Sequence, residues 1–105
     1  MIAKAALEKK AENVVILDIR ELAAWTDYFV ISSGLSNRQV KAIADQMIQE
    51  LSEADSGHWS VEGYREGEWV LIDAGDVVAH IFLPEQREFY NLENLWGDAL
   101  KKKVS

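Results

Sequence analysis

The chain has 105 residues, no cysteine and a formal net charge of −7. That length suits one domain, which buries roughly 60–68% of the surface its unfolded form exposes, and the absent cysteines remove disulfides, thiolate zinc ligands and thiol nucleophiles together. Between Glu50 and Asp98 twelve acidic residues stand against two basic ones, Arg65 and Arg87, the wrong sign for neutralising nucleic-acid phosphates.

Residues 2–11 (IAKAALEKKA) are rich in Ala and Lys, with Ile2, Ala6 and Leu7 on one side, and predict a short helix. The segment MIAKAALEKKAEN has no apolar core and no small-residue cleavage site, so it is not expected to be a secretory signal. Residues 14–19 (VVILDI) form a continuous apolar run, the pattern of a strand buried on both faces. After the connection RELAAWTD, residues 27–34 (DYFVISSG) give a second such strand, stopped by Gly34.

Ser36 opens the strongest helix. Ser36 and Gln39 fit the capping box S-x-x-Q, in which the hydroxyl takes a free backbone N–H and the amide reaches back. Val40, Ile43, Ala44, Met47, Ile48 and Leu51 then recur at helical spacing to about Ala54, with Gly57 as the stop. Residues 58–64 (HWSVEGY) read as a third strand and 69–73 (WVLID) as a fourth.

Ala74-Gly75 is expected as a two-residue hairpin turn flanked by Asp73 and Asp76. Residues 76–83 (DVVAHIFL) then form a central strand, with Val77, Ala79, Ile81 and Leu83 on one face and Val78, His80 and Phe82 on the other. Pro84 suits the first position of a helix. EQREFYNLENLW makes one or two short helical pieces with Phe89, Leu92 and Leu95 or Trp96 turned inward, and residues 99–105 form a flexible basic tail. The whole predicts one α/β domain over 1–105, a mixed sheet of about five strands with helices packed on it.

Asp73, Asp76 and His80 invite a metal reading. His80 lies four residues up its strand, about 13 Å from the turn, so the carboxylates lack a third ligand. The aspartates are better read as acceptors for turn N–H groups, and His80 as a hydrogen-bonded core histidine. The turn SSGLSNRQ (32–39) suits an anion at a helix N-terminus, but no D-x-D or D-x-E magnesium pair follows it. A nucleotidyltransferase drawing on Asp18, Asp27, Asp73 or Asp76 with magnesium is therefore the weaker alternative. Trp69 alternates with Leu71 and Asp73, and a strand face carrying both Trp and Asp is half exposed rather than core. That tilts Trp69 toward a partner surface.

DYFVISSG–SNRQVKAIAD, VEGYREGEWVLIDAGDVVAHIF and REFYNLENLW together resemble the Iojap family, also called ribosomal silencing factor S, over residues 11–98. The resemblance implies a nucleotidyltransferase-like fold without demonstrated nucleotidyl transfer. It implies binding to large-subunit ribosomal protein fourteen on the face that meets the small subunit. Subunit joining is thereby blocked and translation lowered under nutrient limitation. A ribosome-biogenesis factor without a silencing role is the other function that the family admits. Organelle members act in ribosome assembly, and many members are homodimers when free. Catalytic, cofactor and metal residues are expected to be none, and the bacterial cytosol is the expected compartment.

Residue by residue, Trp69 matches the family's tryptophan on the partner-facing strand, with Leu71 beside it. Asp73, Gly75 and Asp76 match its turn, and Tyr90 matches the aromatic of the closing segment. Ala74 departs, because a larger apolar or aromatic residue is common there. The acidic half suits a basic ribosomal protein and disfavours direct nucleic-acid binding.

Overall fold

The computed structural model describes residues 2–54 and 57–104. In chain order the elements are α1 (Ile2–Glu8), β1 (Glu12–Asp18), β2 (Tyr28–Ser33), α2 (Asn37–Glu53), β3 (Ser60–Glu62), β4 (Trp69–Asp73), β5 (Val77–Phe82), α3 (Pro84–Tyr90), α4 (Leu92–Leu95) and β6 (Leu100–Lys103). Among the described residues the strands make one six-stranded sheet in the order β3-β4-β5-β2-β1-β6. Only the β2–β5 pair is parallel; the other four pairings are antiparallel.

Strand alternation gives the sheet two dissimilar faces. One carries Val14, Val30, Val70, Ile72, Ala79 and Ile81, and packs against Ile2, Ala5 and Ala6 of α1 and Val40, Ile43, Ala44, Met47 and Leu51 of α2. The other carries Val15, Leu17, Phe29, Ile31, Val78 and Phe82, with Leu92, Trp96 and Ala99 laid over it. Strands β2 and β5 are buried on both faces, as their continuous apolar runs require.

The N-terminus of α2 forms as expected, with one change. The Gln39 N–H donates to Ser36 Oγ at 3.1 Å. The Gln39 side chain reaches back one residue further than a standard box: its Oε1 accepts from the Leu35 N–H at 2.7 Å, while its Nε2 donates to the Lys9 and Lys10 carbonyls at 3.3 and 3.1 Å. The cap thus also ties α2 to the turn that leaves α1.

The predicted flexible tail is corrected. Leu100–Lys103 pairs antiparallel with Val15–Asp18, and Lys101 Nζ lies 3.2 Å from Glu93 Oε2. The reason is hydrogen-bond satisfaction. The Val14–Leu17 stretch of β1 is apolar and buried or half-buried, so the outer N–H and C=O groups of the strand need partners that a five-stranded sheet does not give them. Three lysines then line the new edge, which discourages further pairing. Residue 105 of the predicted tail lies outside the described residues.

Strand β3 is also shorter than expected, three residues rather than seven. Gly63 ends it with φ +79, and a Cβ built there would sit 2.1 Å from the Trp69 carbonyl oxygen. Gly75 has a similar φ of +86 but nothing within 4 Å of its Cβ position. Each Gly→Ala change should cost about 1–2 kcal/mol for the left-handed backbone, and Gly63→Ala adds a collision with β4. Urea unfolding should therefore show a clearly larger stability loss for Gly63→Ala than for Gly75→Ala, and equal losses would contradict this packing.

Candidate docking face

The face of the sheet opposite α1 and α2 is built of rings. Trp25 and Trp96 meet at 6.5 Å between centroids, Trp96 and Phe29 at 5.5 Å, and Phe29 and His80 at 4.8 Å. The row continues through Trp69 and Phe82 to Tyr90, and Phe89 stands edge-on to Tyr90 at 5.1 Å. Such offset and edge-to-face contacts are each worth about 0.5–1.5 kcal/mol beyond burial. The base of the row is core, since Phe29, His80 and Phe82 are buried. Its ends are open, with Tyr90 46% exposed, Trp25 62% and Phe89 80%.

The predicted contact residues divide across this geometry. Trp69, Leu71 and Asp73 share the aromatic face of β4, the first two half-buried and the third exposed. The Trp69 ring stacks on Phe82 at 5.0 Å and meets Tyr90 from α3 at 4.5 Å. Its indole Nε1–H donates to His80 Nδ1 at 3.1 Å. The sequence identified His80 as a hydrogen-bonded core histidine but gave no sign that its partner is Trp69.

The hairpin turn sits one residue later than predicted, which shifts the strand pairing by two residues. Asp73 pairs with Val78, and the Ala74 N–H donates to the Val77 carbonyl at 2.9 Å. Gly75 and Asp76, not Ala74 and Gly75, are therefore the loop residues. The Asp73 carboxylate accepts from the Gly75 N–H at 2.9 Å, and the Asp76 carbonyl accepts from the Asp27 and Tyr28 N–H groups at 2.9 and 3.1 Å. Those two bonds pin the turn to the start of β2, which displaces the closing pair. By alternation along β4, Ala74 faces the helix side with Val70 and Ile72. With Asp76, Val77 and Tyr28 it lines an open apolar cavity of about 460 Å³ bounded by Ile2, Ala3, Ile16, Val30 and Leu51. Ala74 thus does not share a face with Trp69.

Phe89 was expected inward and is outward at 80% exposure; of Leu95 or Trp96, Trp96 is the one that packs on the sheet, and Leu95 is exposed. Asn91 adopts φ +47, which ends α3 and redirects the chain so that Leu92 and Trp96, not Phe89 and Leu95, meet the sheet. The exposed Trp25 was missed altogether. It lies in a connection with no periodicity, where no sequence signal marks a face.

Charge follows position. Arg87, half of the basic complement of the acidic stretch, is committed to the fold: its Nε donates to Glu93 at 2.8 Å and its guanidinium to Ser33 Oγ at 2.9 Å. Burial works against the Glu93 carboxylate, but Arg87 and Lys101 outweigh it and hold the group below the usual range. Asp73 stays exposed on the ring face, and Glu68, next to Trp69 in sequence, is exposed and accepts from Gln86 of α3, whereas Glu66 lies by the start of α2 and Asp76 lines the cavity on the helix side. No cluster of three His, Cys, Asp or Glu side chains among the described residues is placed to hold a metal ion.

Burial lowers the His80 imidazole from 6.5 to about 4. Between those values the unfolded chain takes up a proton that the folded chain refuses. Stability is therefore full above pH 6.5 and falls as pH drops toward 4, by up to roughly 3 kcal/mol from this group. Urea unfolding at pH 7.5, 6 and 5 should show the original protein losing stability faster than His80→Phe. Parallel slopes would mean that His80 is not held neutral.

The whole chain, residues 1–105, matches the family described as "Ribosomal silencing factor during starvation". The ribosomal silencing factor RsfS of Bacillus subtilis is 43% identical over 97 residues, covering 92% of this chain and 82% of that protein. The chloroplastic protein Iojap of Zea mays is 43% identical over 98 residues, and the chain spans 42% of that longer protein. A crystal structure from Chromobacterium violaceum superposes with a TM-score of 0.90 at 40% identity, covering 92% of this chain and 81% of that one. On sequence and fold alike, the chain belongs to the family of ribosomal silencing factors.

Proposed function

We propose that this protein represses translation by occupying the large ribosomal subunit at large-subunit ribosomal protein fourteen, so that the small subunit cannot join when nutrients are short. The observation that carries the reading is the aromatic row: large rings on a rigid sheet, open at both ends, with the carboxylates of Asp73 and Glu68 beside it. Such anchors are the residue types enriched at interface hot spots. The carboxylate border suits a basic protein and would steer its approach. Trp69, Leu71, Asp73 and Tyr90 form the centre of the contact. Gly75 and Asp76 form its rim, and Ala74 takes part only as the residue that opens the turn.

The action is steric and needs no catalysis or cofactor. A stable contact needs an ordinary buried area of roughly 1,200–2,000 Å². The protein works in the bacterial cytosol and pairs with a second copy when free. Because the aromatic face is acidic at its border, direct contact with nucleic acid is minor.

Sedimentation tests the reading. Purified large subunits are run with and without the protein, then small subunits are added. Co-sedimentation with fewer joined ribosomes is the expected result. Trp69→Ala should weaken binding by about 2 kcal/mol or more, roughly thirtyfold. Protein left at the top of the gradient, with joining unaffected, would reject the reading. Binding without any fall in joining would favour a role in assembly instead.

A further inference from the structure

We propose that His80 is a positioning residue for docking: its Nδ1 lone pair fixes the Trp69 indole in the one ring orientation that the partner meets. This rests on the docking reading above and assigns a task to a side chain that otherwise looks like plain core.

The geometry has three parts. First, Trp69 lies between two rings, Phe82 at 5.0 Å and Tyr90 at 4.5 Å. Stacking holds the plane of an indole but is nearly indifferent to a flip within that plane, which exchanges its two edges. The hydrogen bond from Nε1–H to His80 Nδ1 at 3.1 Å distinguishes the two flips. Second, the acceptor is itself immobile. His80 is 5% exposed, lies edge to face with Phe29 at 4.8 Å, and shares its strand face with Phe82. Third, His80 faces Leu71 across the β4–β5 register, with Trp69 opposite Phe82 one step along the same face. The tie therefore runs between the neighbouring strands β4 and β5.

A histidine here is the more costly choice for the fold alone. Accepting at Nδ1 puts the imidazole proton on Nε2, and that nitrogen is buried with no hydrogen-bond partner. A buried polar group without a partner is unfavourable, and phenylalanine would fill similar space without it. What phenylalanine cannot supply is an acceptor for the indole. The low proton affinity that burial imposes on the ring has the same consequence, since a protonated imidazole would turn a donor toward a donor. No charged side chain contributes to that lowering. The acceptor therefore persists throughout the neutral range.

Fixing an indole before contact removes the cost of ordering it at contact. Side chains immobilised on binding each weaken association by a modest factor, so release of Trp69 should cost about five- to tenfold in affinity.

The test starts with the unsubstituted, nitrogen-15-labelled protein. Long-range proton–nitrogen spectra should show His80 Nδ1 without a proton, Nε2 with one, and a slowly exchanging Trp69 indole N–H. The opposite tautomer would overturn the proposal. Next come His80→Phe, His80→Asn and His80→Gln, each checked for folding and titrated against purified large subunits. Asn places an oxygen near the Nδ1 position and Gln places one near Nε2. The expected order is that Asn binds closest to the original protein, with Phe and Gln five- to tenfold weaker and their indole resonance displaced. Should His80→Phe fail to fold, the Asn–Gln comparison still decides. Equal binding of Asn and Gln, or binding of folded His80→Phe as tight as the original, would overturn the proposal. Trp69→Ala run in parallel separates the two readings. If it loses binding while the His80 variants do not, only the positioning role falls. If it binds normally, the docking face itself is misassigned.

Discussion

The parallel pairing of β2 with β5 imposes the terms on which the rest of the molecule is built. Parallel strands cannot be joined by a tight turn; they need a crossover of a dozen or more residues. Here the crossover contains the 17-residue α2 and then the β3–β4 hairpin. Helices α1 and α2 together cover most of one face of the sheet. The hairpin extends the sheet beyond β5, so the second face widens just where no long helix is available to cover it. That face falls to α3 and α4, of seven and four residues, neither of which contains a buried residue. Rings fill the gap. An aromatic face that is core at its centre and open at its ends follows from the topology.

The charges are arranged around this incomplete cover. The buried-side ion pair of Arg87 with Glu93 holds the short helices to the end of β2, and Lys101 joins it from β6. Much of the limited positive charge near the aromatic face is thus used internally. The carboxylates left over on this side, Asp73 on the ring face and Glu68 beside Trp69, are exposed. The net charge of the chain therefore understates how negative this border is, and it is the border that an approaching partner would sense.

Local signals were legible and long-range ones were not. The α2 cap, the apolar run of α2 and the alternation of β5 could be read because each depends on neighbours within a turn or two of chain. The lysines of β6 read as a tail, because nothing local reveals that β1 still lacks a partner. The hairpin turn was placed one residue too early because Asp76 answers to Asp27 and Tyr28, about fifty residues away. Phe89 was placed inward on hydrophobicity alone, whereas the left-handed Asn91 decides which residues of the closing segment face the sheet. At the site, Trp69 and Asp73 were legible from their alternation. The His80 bond was not, since a histidine and a tryptophan eleven residues apart declare no contact in sequence.

The proposed interface lies on the same rings that close a core, which would couple binding to folding. Phe82 supports Trp69 from below and is itself sealed by the sheet, so the contact surface inherits the rigidity of close packing. A loop could present equally large rings but would have to order them on contact, at a cost in affinity. The ordering cost of this surface is met when the chain folds. The corollary is that damage to the rings is not confined to binding: a variant that loosens Trp69 also loosens the lid over β5. Affinity and stability must therefore be measured on the same variants, because on this face a loss of docking with unchanged unfolding is what identifies a residue that acts on the partner rather than on the core.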